Sequence, residues 1–466
     1  FLGALGLAVI ACQPEPIEWD DVSPPAPTVR RLTQAQYGNS VRDSIGEEVV
    51  IPAQLEPDSV VAGFKEVGAS ITTISNRGVE QYEKAAYTIA EQIISNETLK
   101  ERWVTCAPES LQDVDCTAEI LEPFGTALWR RPLTEEELNT VVGLSLTATA
   151  TLESFDAGLV YGFATILQSP NFLFRIELGE PDPNRPGTLR YTNYEMASRL
   201  SFFLWNTAPD SELLAAAAAG ELTTEFGLEV QVDRLLADSK ARLGVAAFFT
   251  DLYKLYKLDT LSQDPTLFTH MSPDVGPSAR EETLAVLEHL IFDEDADYRD
   301  VLTTRTTAIN RTLAAIYDMP APTREGFGWT QYPKDSERVG ILGHASFLTL
   351  NAHPVSTSAT LRGMFVREVL LCQHIPLPPA GVDTSIPEPS STAKTLRERV
   401  AVHLEDEYCA TCHQITDPIG LSYEQFDALG RFRTQDNGAT IDPSGELDGT
   451  PFSGPIELSA LIRTHQ

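Results

Sequence analysis

Apolar residues in this chain recur at three- and four-residue intervals and almost nowhere alternate, and that period commits most of the chain to amphipathic helices. In RGVEQYEKAAYTIAEQIISN, Val79, Tyr82, Ala86, Ile89 and Ile93 fall on one stripe. TEEELNTVVGLSLTATA offers Thr134 as an N-cap, with acidic residues in the first turn where the helix dipole favours them. NYEMASRLSFFLWN, TEFGLEVQVDRLLADSKARLGVAAFFTDLYKL and SAREETLAVLEHLIFD continue the pattern. The expected class is therefore mainly α. A chain of 466 residues exceeds one core, and at about 150 residues per domain it divides into about three. Breaks fall at GEPDPNRPG, residues 179–187, and at IPLPPAGVDTSIPEPSST, residues 375–392. They delimit an N-terminal helical part over residues 29–178, a central helical domain over 188–374, a Pro-rich linker over 375–394 and a small segment over 395–466. The linker is expected to isolate that last segment from the body.

Charge narrows the partners. Against 34 Lys and Arg stand 67 Asp and Glu, a formal net charge of -33, and such a surface repels nucleic acid and anionic lipid alike. The opening FLGALGLAVIAC is an apolar run ending at Cys12, shorter than the about 20 residues a spanning helix needs, and reads as the core of an export signal. Val9, Ile10, Ala11 and Cys12 resemble a bacterial lipobox, in which the cysteine is acylated; a plain secretory signal with a chance cysteine is the alternative. Residues 1–12 are thus expected to be a lipoprotein signal peptide and 13–28 a Pro-rich linker. The protein is placed in the cell envelope, facing periplasm or exterior, and touching the membrane through its lipid anchor only. The chain starts without methionine or a basic n-region and stops at LIRTHQ, so a fragment is expected at both ends.

In an oxidising compartment Cys106 and Cys116, bracketing CAPESLQDVDC, form most simply a local disulfide. Cys372 is left over, and Cys409, Cys412 and His413 make a CxxCH within EDEYCATCHQITDPIGLSYEQFD. That spacing is the attachment signature of c-type haem: two sulfurs add across the porphyrin vinyl groups and the next imidazole ligates the iron. The expected cofactor is one covalent haem c. A structural disulfide and a zinc site completed by His403 remain open, and pairing of Cys372 with a motif cysteine would defeat haem attachment. A thioredoxin-like role lacks its βαβ setting. The sixth iron ligand is not evident, since Met196, Met271, Met319 and Met364 all precede the motif and only His465 follows it. His403 and His353 are the distal candidates, ahead of His344 and His374. An iron without a sixth ligand would be open to peroxide or oxygen chemistry.

Several long phrases together resemble a known family. RRLTQAQYGNSVRD, LWRRPLTEEEL, ILQSPNFLFRIE, YEMASRLSFFLWNTAPDSELL, GILGHASFLTLNAHPVSTSATLRGMFVRE and HLEDEYCATCHQITDPIGLSYEQFDALGRFR stand in order and span nearly all of the chain after Pro27. They are similar to large exported bacterial proteins, frequent in planctomycetes and myxobacteria, built from consecutive domains of unknown function ahead of a cytochrome-c-like segment. The resemblance implies haem on Cys409, Cys412 and His413, and matches Asp417, Pro418, Gly420, Glu424, Phe426, Asp427, Gly430 and Arg431 to the family's tail. Many members carry methionine just before that first aspartate, where this chain has Thr416.

Arg130, Arg131, Arg175, Arg199 and Arg362 recur in apolar surroundings, as ion pairs with Glu177, Asp210 or Asp427 or else as haem-propionate ligands. Trp205, Phe202 and Phe203 read as core, and FDEDADYRD as a solvated turn. No nucleophile elbow, Walker loop, dinucleotide fingerprint or HExxH is present, so no catalytic residue is assigned. The reading that results is a haem-bearing electron-transfer protein with a redox partner protein. Its rivals are a non-redox scaffold with a disulfide CxxC and a haem oxidase or peroxidase.

Overall fold

The Thr134 hydroxyl accepts from the Glu137 N–H at 3.2 Å, and the Glu137 carboxylate accepts from the Thr134 N–H at 2.8 Å. This reciprocal box satisfies two of the donors that the start of the helix Glu135–Leu152 leaves without partners. Local signals of this kind recur throughout the computed structural model, which describes residues 28–376, 386–405 and 407–465. The signal peptide, the Cys12 lipidation site and nearly all of the 13–28 linker lie outside the described residues, as do residues 377–385 of the second linker. Helices predominate, and among the described residues the strands form only two-stranded antiparallel pairs, so the chain is mainly α.

The chain divides into two compact units. The first contains residues 28–58, 69–202 and 207–233. Its core is built by the helices Gln34–Ile45, Asn76–Ser95, Val114–Trp129 and Phe155–Leu167, around Tyr37, Ile89, Phe124 and Phe163. The strand Thr28–Arg31 pairs with Phe174–Glu177, Val29 opposite Ile176. The helices Glu135–Leu152 and Phe155–Leu167 approach closely, the Ser145 hydroxyl donating to the Gly158 carbonyl at 2.9 Å, and a Cβ at 158 would overlap the Thr149 hydroxyl. Cys106 and Cys116 are joined by a disulfide.

The stripe on Asn76–Ser95 buries Tyr82, Ala86, Ile89 and Ile93, whereas Val79 is 57% exposed. Gly78 takes the inward position of the first turn, against the Glu56 carboxylate, which leaves Val79 outside the contact face. Likewise Phe202 and Trp205 are buried but Phe203 is 79% exposed, a correction to the reading of all three as core. Adjacent residues on a helix face directions about 100° apart, so Phe202 and Phe203 cannot both point inward.

The second unit contains residues 59–68, 203–206 and 234–465. Ala241–Leu252, Val275–Glu288, Ala345–Leu350, Ala359–Phe365, Glu407–Leu421 and Gly454–Thr464 are its principal helices, and the hairpin Ser444–Leu447 with Thr450–Ser453 packs among them. Ile419, Tyr423, Phe426 and Leu429 belong to the same core as Val286, Phe347 and Phe365. Ile375 is buried, and Ile386 packs on Ala359, Leu396, Val400 and Leu421. The expected isolation of the CxxCH segment thus differs from the arrangement found. Proline and serine composition describes the backbone of a connection, but the apolar residues flanking 377–385 bring the segment back onto the core.

Candidate functional site

Glu407–Leu421, the helix that bears the CxxCH, changes character along its length. Thr416, Asp417, Ile419 and Gly420 are buried, while Thr411 and Gln414 are exposed and Cys409, Cys412 and His413 lie half-buried between. Its buried half meets Ala359–Phe365 at backbone distance. A Cβ at Gly363 would overlap the Thr416 carbonyl, and one at Gly420 would overlap the Ala359 carbonyl. Two glycines in opposite helices therefore set the approach that brings Thr360 to the motif.

The His413 Nδ1 lies 2.8 Å from Asp417 Oδ2, one helical turn on. An ionised carboxylate only accepts, so this contact calls for a proton on Nδ1, and in the neutral ring the lone pair is then on Nε2. The side chain of Asp417 is 6% exposed and that of His413 19%. Asp417 is held in turn: the Thr360 hydroxyl donates to Oδ1 at 2.9 Å, and Thr416 Oγ1 lies 3.2 Å from the same oxygen. Thr416 also donates to the Cys412 carbonyl at 3.0 Å, so this buried hydroxyl is turned onto its own helix. Sequence reasoning marked Asp417 only as a tail residue. The i, i+4 spacing from His413 was the available signal for its partnership.

The donor set fits a c-type haem: two sulfurs one turn apart on a half-buried face, followed by an imidazole oriented through its far nitrogen. His403 lies against this site, its ring centroid 4.5 Å from that of His413. Opposed imidazoles with nitrogens about 2 Å from one metal hold their rings farther apart than this, so His403 packs against His413, tilted by 50°, rather than facing it across an iron. The Nδ1 of His403 is buried with no hydrogen-bond partner. His353 is exposed in the turn between Ala345–Leu350 and Ala359–Phe365, its N–H donating to Ser356. His465 bonds Asp448 at 3.0 Å, and His344 is enclosed beside Thr283, where burial lowers its pKa despite Glu282. Cys372 is an exposed thiol. Among the described residues no group of three or more His, Cys, Asp or Glu is arranged to hold a metal ion.

The arginines singled out from sequence are occupied by structure. Arg130 donates to the carbonyls of Leu128, Asn171, Phe172 and Phe174. Arg131 pairs with Glu137 at 2.7 Å, and Arg175 and Arg199 with Glu177 at 3.6 and 2.5 Å. Arg362 donates to the carbonyls of Tyr423, Phe426 and Asp427 and lies 3.5 Å from Glu424; burial pulls it down to about 10, with Glu424 opposing. The tail motif is explained by the same contacts. Glu424 accepts from Thr357 and Arg433, Asp427 caps the N–H groups of Leu429 and Arg431, and Gly430, at a φ of 91°, gives its carbonyl to Arg338.

Four family models match the chain in succession: PSD3, a protein of unknown function (DUF1587), over residues 30–95; PSD5 (DUF1595) over 116–177; PSD4 (DUF1592) over 191–319; and PSCyt3 (DUF1588) over 338–436. The CxxCH falls within the last, whose name hints at a cytochrome-related family. No curated protein and no solved structure matches the chain significantly. The chain thus carries four consecutive domains of unknown function.

Proposed function

We propose that this chain is a cell-envelope, c-type cytochrome-like protein that holds one covalent haem and exchanges electrons with a partner protein. The observation that carries the reading is the 2.8 Å contact of His413 Nδ1 with Asp417, on the helix that also bears Cys409 and Cys412. Those two sulfurs would hold the haem as thioethers and His413 would ligate its iron through Nε2. Asp417 retains the proton at Nδ1 and fixes the plane of the ring. When bound, the haem supplies a one-electron iron couple. His403 would reach a bound iron only with its ring moved away from His413, and His353 only with its turn moved from solvent to the site.

The envelope location is supported by the apolar leader ending at Cys12 and by the Cys106–Cys116 disulfide, which suits an oxidising compartment. No helix among the described residues is long and apolar enough to cross a membrane, and the lipid on Cys12 would be the attachment. The test is a pyridine haemochrome spectrum after acid–acetone stripping of protein exported in a host with c-type maturation. Haem is expected to survive in the wild type and to vanish in Cys409→Ser/Cys412→Ser. Absence of haem from both proteins makes the CxxCH a structural pair and favours the scaffold reading.

A further inference from the structure

We propose that Asp417 is a positioning residue that sets the redox behaviour of His413: it fixes the imidazole with Nε2 outward and shifts a bound iron toward the ferric state. The proposal rests on the haem reading above. Three observations lead to it. The acceptor at His413 Nδ1 is a carboxylate rather than a backbone carbonyl, at 2.8 Å and in a buried position. Its other oxygen accepts from Thr360 at 2.9 Å, so the carboxylate is clamped between two helices. The close backbone approach at Gly363 and Gly420 makes that clamp rigid, because neither helix can move without opening the core.

The chemistry follows from charge. A histidine that donates Nδ1–H to a carboxylate gains electron density at Nε2 and becomes a more basic ligand. A more basic ligand stabilises Fe(III) over Fe(II), so the couple Fe(III) plus one electron to Fe(II) moves to lower potential. A neutral amide in place of the carboxylate keeps an acceptor oxygen but not the charge. Thr360 acts one step farther out, by orienting the carboxylate.

Spectroelectrochemical titration of the haem-loaded full chain tests this with Asp417→Asn, Asp417→Glu and Thr360→Val. Asp417→Asn is expected to raise the potential so that the ferrous-to-ferric ratio at a fixed potential increases at least tenfold, about 59 mV for a one-electron couple. Thr360→Val moves it the same way by less, and Asp417→Glu restores most of the wild-type value. An unchanged potential in haem-loaded Asp417→Asn overturns the proposal while leaving the haem reading intact; a wild type that takes up no haem overturns both. Should Asp417→Asn fail to load, the side-chain 15N shifts of His413 in the haem-free full chain decide. An Nδ1–H tautomer in the wild type that is lost in Asp417→Ala, which removes the acceptor altogether, is expected, and an Nε2–H tautomer in the wild type contradicts the proposal.

Discussion

At the residue scale, what a glycine faces decides whether it is replaceable. Gly363 and Gly420 each face a backbone carbonyl of the neighbouring helix, whereas Gly143, mid-way along Glu135–Leu152, has nothing near the position a Cβ would take. A methyl group at 363 must push a whole helix rather than a side-chain tip. Gly363→Ala is therefore expected to destabilise the protein by about 3 kcal/mol in chemical denaturation, while Gly143→Ala stabilises it by about 0.5–1 kcal/mol through reduced unfolded-state freedom. Equal effects of the two substitutions would contradict the packing described. Neither distinction is legible in sequence, where all three glycines sit in similar helical text; only the neighbour across the interface separates them.

At the scale of elements, the helix Glu135–Leu152 carries its own pH dependence. The Arg131 side chain, with burial opposing and the Thr134 N–H assisting, lowers Glu137 from 4.5 to about 2. A carboxylate whose folded pKa is depressed stabilises above its unfolded value and loses that contribution as pH falls toward the folded one. The stabilisation is thus complete above about pH 4.5 and disappears toward pH 2, and because the pair is partly solvated it amounts to about 1 kcal/mol. Glu137→Gln should lose that increment at neutral pH and match the wild type near pH 2; a constant difference across the range would contradict the assignment. This cap was readable from Thr134 and the acidic first turn. The helical class was readable too, since period and caps act locally. Val79 and Phe203 were misplaced because a stripe gives a helix face only to within a residue or so, and which residue turns inward depends on the element packed against it. At the candidate site the cysteines and His413 announced themselves by spacing, while Thr360 is distant in sequence and is brought there by the helix pairing alone.

At the scale of the molecule, matched family segments need not be separate folding units. In the second unit Glu282 accepts from Thr307 at 2.7 Å, Tyr332 at 2.9 Å and Tyr317 at 2.5 Å, and Arg338 lies over the Tyr317 ring at 3.8 Å. This buried network joins the segment matched over 191–319 to that matched over 338–436. Burial and the Glu282 charge raise both tyrosines well above their usual range, so the phenols stay protonated donors. Glu282→Ala strands three hydroxyls and removes negative charge near Arg338, and is expected to cost about 3–5 kcal/mol and to expose both segments to protease together. Cleavage confined to one segment would show that they fold apart. The domain names gave no hint of this interlock, because its members are spread over Glu282 to Arg338 and none has a motif. The central claim concerns the helix Glu407–Leu421, and the most direct measurement is intact-mass and peptide analysis of the exported protein from a host with c-type maturation. The account predicts one haem per chain, carried on the peptide containing Cys409 and Cys412; that peptide recovered without haem, as two thiols or a disulfide, contradicts it.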